Sequence, residues 1–171
     1  HYRPAMVLNN LSAVQLALGK SSASILSLEQ TIDHLTSYIK AMTDVQEINK
    51  GKEFQYQAID NLAGKQKELG NYSRAKDLLE YAYEQKKASF GPESPEVFKS
   101  QILLGQLYYD ILEFELAENF LLEGLALIDK LGGEYFYWQA DAYYALARIK
   151  DVQEENEDAL HFYQLADRVF Q

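Results

Sequence analysis

Side chains able to move a proton near neutral pH are scarce in this sequence. Three histidines occur, too few and too scattered for a zinc site, and His34 and His161 fall in separate segments. A hydrolase needs a nucleophile with a base in reach, and neither G-x-S-x-G nor H-E-x-x-H occurs. Gly19-Lys20-Ser21-Ser22 matches the end of a phosphate-binding loop, but the glycine such a loop requires earlier is Val14, and no strand leads into it. That segment reads as a turn between helices. Cysteine is absent, which removes disulfides, thiolate metal ligands and a cysteine nucleophile. Carboxylate pairs are numerous, yet none falls in a segment expected to be buried, so desolvation gives none a reason to shift its pKa. The expectation is no catalytic residue, no metal ligand set, no cofactor and no enzyme activity.

The elements that could position a binding site are better marked. The chain has 171 residues, 47% of them apolar and 25% charged, which suits one compact array with a core and a wet surface. Sixteen basic against 26 acidic residues give a net charge of -10, which argues against a nucleic-acid or anionic-membrane partner. No apolar run approaches the roughly 18–20 residues of a bilayer span, and no signal-peptide pattern opens the chain. A soluble, cytoplasmic protein is expected.

Strand signals are missing, and apolar spacings of three and four dominate. Ile25, Leu28, Ile32, Leu35, Ile39 and Met42 form one helical stripe. Ile102, Leu104, Leu107, Leu121, Leu122, Leu125 and Ile128 repeat the habit further on. Four segments, starting at Leu8, Ile59, Gln101 and Tyr143, then align in one register. Leu11, Leu62, Leu104 and Leu146 share a position, followed at once by small Ser12, Ala63, Gly105 and Ala147. Ser24, Ala75, Ala117 and Ala159 form a second small position. Leu28, Leu79, Leu121 and Tyr163 are the large residues four further on, and Thr31, Ala82, Gly124 and Ala166 are small again. From Ser24 to Ala75 is 51 residues, and the next two intervals are 42 each. The extra nine residues, within 36–51, are expected to lengthen a second helix and its turn.

Small residues at matched places let two helix backbones approach, and the leucine and the later large residue fill the space between them. Gly19 and Gly70 fall at the turn between paired helices, where positive φ is needed. Leu112 and Glu154 stand at that place in repeats three and four, so a different turn geometry is expected there. Gly91-Pro92-Glu93-Ser94-Pro95 ends one helix and starts the next.

This register resembles the tetratricopeptide repeat. Leu104-Gly105-x-x-Tyr108 followed by Ala117 matches its L-G-x-x-Y…A pattern. The 42-residue step, the GPESPEV linker and the opening HYRPAMVLNNLSAV are similar to the longer-helix class of kinesin light chains and many bacterial regulators. The resemblance covers about the whole chain. It implies an all-α, right-handed superhelical solenoid whose first helices line a concave groove that holds a peptide or partner helix. The groove candidates it implies are Asn9, Asn10, Asp60, Asn61, Gly64, Lys67, Lys99, Gln106, Tyr109, Tyr144, Arg148 and Asp151. Asn10 and Asn61 occupy equivalent places, and their amides could hold a peptide main chain. Leu103 and Ala145 end that ladder after two rungs. The clustered cations of chaperone-binding members are not matched, since only Lys67, Lys99 and Arg148 stand on this face, beside Asp60 and Asp151.

Charge is uneven. Residues 1–50 carry four basic and four acidic side chains, 51–97 seven and eight, 98–139 two and seven, and 140–171 three and seven. A basic or neutral partner for the C-terminal half is one reading, and solvation of the turns by Glu113, Glu115, Glu118, Glu154, Glu155, Glu157 and Asp158 is the other. Aromatics cluster from Glu134 onward. Tyr109 and Tyr144 are the preferred groove aromatics, while Trp138, Tyr143 and Phe136 are expected to fill the space between repeats.

The expected organisation is a single array over 1–171, with repeats near 4–50, 52–92, 94–133 and 134–171. An uncapped last helix suggests either a piece of a longer protein or self-association through Phe162, Leu165, Val169 and Phe170. The expected function is a protein- or peptide-binding scaffold, with a peptide-responsive regulatory domain controlling an attached effector as the alternative. A purely structural spacer is a third possibility.

Overall fold

A computed structural model describes residues 3–170. Among them are eight helices and no strand: α1 Arg3–Ala17, α2 Ser21–Ala41, α3 Val45–Glu68, α4 Tyr72–Phe90, α5 Pro95–Asp110, α6 Phe114–Leu131, α7 Phe136–Val152 and α8 Asn156–Arg168. The chain divides into two compact units, residues 1–82 and 83–171, with the division inside α4.

In the N-terminal unit α2 packs on both α1 and α3. Small residues sit where the register requires them: Ser24 is 1% exposed, Ala63, Ala75 and Ala82 are fully buried, and Leu28 and Leu79 fill the space beside them. Leu11 departs from its register mates. It is 42% exposed, whereas Leu62, Leu104 and Leu146 are at most 2% exposed. Only two or three of the residues inserted between repeats one and two lengthen the second helix, α2 having 21 residues against 19 in α4 and 18 in α6. α2 stops at Ala41, and Val45 already begins α3, a helix of 24 residues. Asp44 caps this helix by accepting from the Glu47 N–H at 2.9 Å, and Tyr38 donates to Glu47 Oε2 at 2.5 Å. The repeat boundary expected at residues 50–52 therefore lies inside α3.

In the C-terminal unit α5 packs on α6 and α7, α6 on α7, and α7 on α8. The α5–α6 contact is the tightest. A Cβ on Gly105 would lie 2.6 Å from Leu121 Cγ, and one on Gly124 would lie 3.1 Å from Ile102 Cγ1. Ala117 and Leu121 are fully buried beside them. Lys86 is also fully buried, and its Nζ donates to Ser100 Oγ at 2.8 Å.

All four turns within the helix pairs close in the same way, which corrects the expectation for Leu112 and Glu154. Gly19, Gly70, Leu112 and Glu154 have φ of 72°, 78°, 65° and 63°. Each donates its N–H to the carbonyl three residues back, and the residue after it donates five back: Gly19 to Leu16 and Lys20 to Gln15, Leu112 to Tyr109 and Glu113 to Tyr108. This Schellman pair of bonds satisfies two end carbonyls and holds the turn even without glycine. The linker behaves as expected, with Gly91 at φ 88° after α4 and Pro95 at the start of α5.

Candidate functional site

The groove residues expected from the sequence fall on α1 and α3 in one unit and on α5 and α7 in the other. The two sets lie in separate units.

In the N-terminal unit, Asn61 Nδ2 donates to Asn9 Oδ1 at 3.2 Å, tying α3 to α1. The amide contact thus runs through Asn9 and not through Asn10, the register mate of Asn61. Asn10 is exposed and lines a cavity of about 190 Å3 together with Ala5, Asn9, Leu35, Phe54 and Gln57. Asp60 is half-buried and turns one carboxylate oxygen away from solvent. Gly64 and Lys67 are half-buried on the same helix, and a Cβ on Gly64 would meet nothing, so no close approach demands glycine there.

In the C-terminal unit the candidates divide. Lys99 is held by Glu96 one turn away at 2.7 Å, and Gln106 is half-buried. Tyr109, Tyr144 and Arg148 come together. The Arg148 guanidinium lies 4.4 Å from the Tyr109 ring centroid and 6.0 Å from that of Tyr144. Arg148 is exposed, and none of the described residues brings a carboxylate within ion-pair distance of it. Tyr144 is 54% exposed and meets the Tyr163 ring at 5.8 Å, nearly edge to face. Tyr163 donates its hydroxyl to Asp151 Oδ2 at 2.6 Å. That bond, reinforced by desolvation and by the carboxylate charge, pushes the Tyr163 phenol up to about 12. The rings hold the guanidinium in place, and Asp151 holds the outer ring. A charged donor group set among fixed aromatic faces suits recognition of main-chain carbonyls and apolar side chains.

Tyr163 does more than its repeat position assigns to it. It shares a position with Leu28, Leu79 and Leu121, so it reads as interhelix filler, yet it is half-buried and serves the exposed cluster. Its hydroxyl is the only polar atom at that position in the four repeats, and Asp151 stands twelve residues earlier. The filler aromatics also divide: Trp138 meets Phe98 at 6.3 Å and Tyr143 stacks with Phe162, but Phe136 is 44% exposed. Among the described residues no group of histidine and carboxylate side chains could hold a metal ion, and no helix is long and apolar enough to cross a membrane.

No protein-family model matches the chain, and no curated protein matches it by sequence. Solved structures do. BtubC (BKLC) from P. vanneervenii superposes with a TM-score of 0.76 at 17% identity, over 96% of this chain and 62% of that one. The apo form of RapI gives 0.76 at 15% identity, over 98% of this chain and 43% of that one. The chain therefore spans less than two thirds of either protein. A Podosopora anserina chain described as kinesin light chain nearly identical TPR-like repeats gives 0.58 at 18% identity, over 99% and 96%. At these identities the likeness concerns architecture, and in architecture this chain is an all-α repeat of the tetratricopeptide type.

Proposed function

We propose that this chain binds protein or peptide partners and performs no catalysis, and that the α5–α7 face carries a principal contact surface. Helical repeats of this architecture serve as scaffolds for protein interactions generally. The observation that carries the reading is the Arg148 guanidinium lying over Tyr109 with Tyr144 exposed beside it. Tyrosine and arginine supply much of the binding energy at protein interfaces because they combine large rigid area with a polar tip. Here both side chains are held in place before any partner arrives, so little entropy is lost on binding. Neutral main-chain and apolar groups suit the cluster itself, while the acidic surroundings favour a partner of basic or neutral overall charge.

The test is affinity. Partners retained by the intact chain are identified, and their Kd is measured against Arg148→Ala and Tyr144→Ala. Each variant should weaken binding by about 30-fold, the scale of an interface hot spot of about 2 kcal/mol. Lys99→Ala should change little, because Glu96 already takes up its charge. If Arg148→Ala and Tyr144→Ala both keep every partner at unchanged Kd, the face is wrongly assigned.

A further inference from the structure

We infer that the partner segment received by the α5–α7 face is proline-rich, held as a polyproline II helix with a lysine or arginine at one end. Rings and a guanidinium follow one another across this unit. Phe114 meets Tyr109 at 5.8 Å between ring centroids, the Arg148 guanidinium lies 4.4 Å from Tyr109 and 6.0 Å from Tyr144, and Tyr144 meets Tyr163 at 5.8 Å. α5, α6, α7 and α8 each supply one ring. Aromatic surfaces of this kind take up proline rings, which are apolar and bring a main chain that is already fixed in conformation.

The hydrogen-bonding groups of the cluster narrow the choice of main chain. Arg148 offers its guanidinium N–H groups, and the Tyr109 and Tyr144 hydroxyls, also able to donate, bond to none of the described residues. Asp151, the carboxylate inside the cluster, already accepts from Tyr163 at 2.6 Å. A β-strand would bring N–H groups as well as carbonyls, and an α-helix satisfies its own carbonyls. A polyproline II segment has free carbonyls, no internal hydrogen bonds and, at each proline, no N–H to satisfy. It matches a surface of donors and rings. Charge then sets the flank. Glu113 and Glu115 precede and follow Phe114, both are exposed, and neither forms an ion pair among the described residues. A cation beside the prolines meets them, and the excess of acidic residues over 98–171 favours the same sign.

Because this rests on the α5–α7 face being a contact surface, the experiment separates the two. The full chain is titrated with acetyl-Arg-Pro-Pro-Pro-Pro-Pro-amide, and Kd is measured by calorimetry while amide shifts are followed at Tyr109, Tyr144 and Arg148. The controls are acetyl-Arg-Ala-Ala-Ala-Ala-Ala-amide and acetyl-Glu-Pro-Pro-Pro-Pro-Pro-amide. Saturable binding of the first peptide is expected, with each control about tenfold weaker or more. Tyr144→Ala should weaken the first peptide about tenfold at an unchanged Tm, since that side chain is 54% exposed. Glu113→Gln combined with Glu115→Gln should weaken the arginine–proline peptide several-fold and leave acetyl-Ala-Pro-Pro-Pro-Pro-Pro-amide unchanged. No saturation, equal affinity for either control, or full affinity in Tyr144→Ala would each overturn the inference. If no proline peptide binds while Arg148→Ala and Tyr144→Ala still lose the partners that the intact chain retains, the contact surface stands and only its proline assignment falls.

Discussion

The exposed Arg148 guanidinium lies 4.4 Å from the Tyr109 ring centroid and 6.0 Å from that of Tyr144. Such cation–π contacts contribute about 0.5–1 kcal/mol at exposed sites and more once a partner removes water. Tyr163 belongs to the same cluster and gives it a readable titration. Its proton is held more tightly in the folded chain than at the ordinary value of 10.0, up to about 12. The stabilisation from this bond is therefore fully present below pH 10 and is lost as pH rises through about 12. In a tyrosinate absorbance titration, Tyr163→Phe should remove one late-ionising phenol and reduce the alkaline loss of stability. A curve unchanged by the substitution would show that Asp151 does not hold the hydroxyl. Lys150 acts alongside. It is 13% exposed between Glu155 at 2.9 Å and Glu118 at 3.0 Å, and its pKa is raised first by the Glu155 bond, so it too stabilises at neutral pH and ceases to in strong alkali.

At the scale of elements, the four helix-pair turns use one geometry with two kinds of residue. Glycine reaches positive φ freely, whereas an L side chain there costs about 1–2 kcal/mol, offset in part by the greater entropy glycine loses on folding. Leu112 is 72% exposed and Glu154 is exposed, so truncating either sacrifices little packing. Leu112→Gly and Glu154→Gly should each raise stability by about 0.5–1 kcal/mol in urea unfolding. A loss of stability would mean that these side chains make contacts the turn depends on. The α5–α6 contact tolerates the opposite change badly. Ala117 is fully buried, its carbonyl would lie 3.1 Å from a Cβ on Gly105, and Leu121 blocks the other side. Ala117→Leu should cost about 1–3 kcal/mol by overpacking, measured as a shift in the urea midpoint. A neutral result would mean that the two helices do not approach as closely as their small residues require.

The whole chain carries -10, concentrated in residues 98–171, and on the proposed reading a field of this sign steers basic partners. Association with a basic partner should slow several-fold between low and physiological salt, because screening shortens the reach of surface charge to about 8 Å. A rate independent of salt would leave the acid with a solvating role only. Much of the architecture was legible beforehand, because close helix packing admits few side chains at a contact. Ser24, Ala75, Ala117 and Ala159 are all buried at the contacts their spacing marks. Less of the candidate site was legible. Tyr109, Tyr144 and Arg148 were among the groove candidates, yet nothing in their spacing distinguished them from Lys99, whose charge is taken up by Glu96.

The amino-acid sequence by itself determined the helices, their pairing and the places where backbones touch, since each depends on periodicity and on side-chain volume at fixed intervals. Only the tertiary structure decided which polar groups were already satisfied. It brought Asn61 to Asn9 instead of Asn10, tied Tyr163 to Asp151, and buried Lys86 at the register place of Leu35 and Ile128. Hydrogen bonds depend on distances of a few ångströms between residues far apart in the chain. A repeat register sets which helices are neighbours, but it does not set those distances.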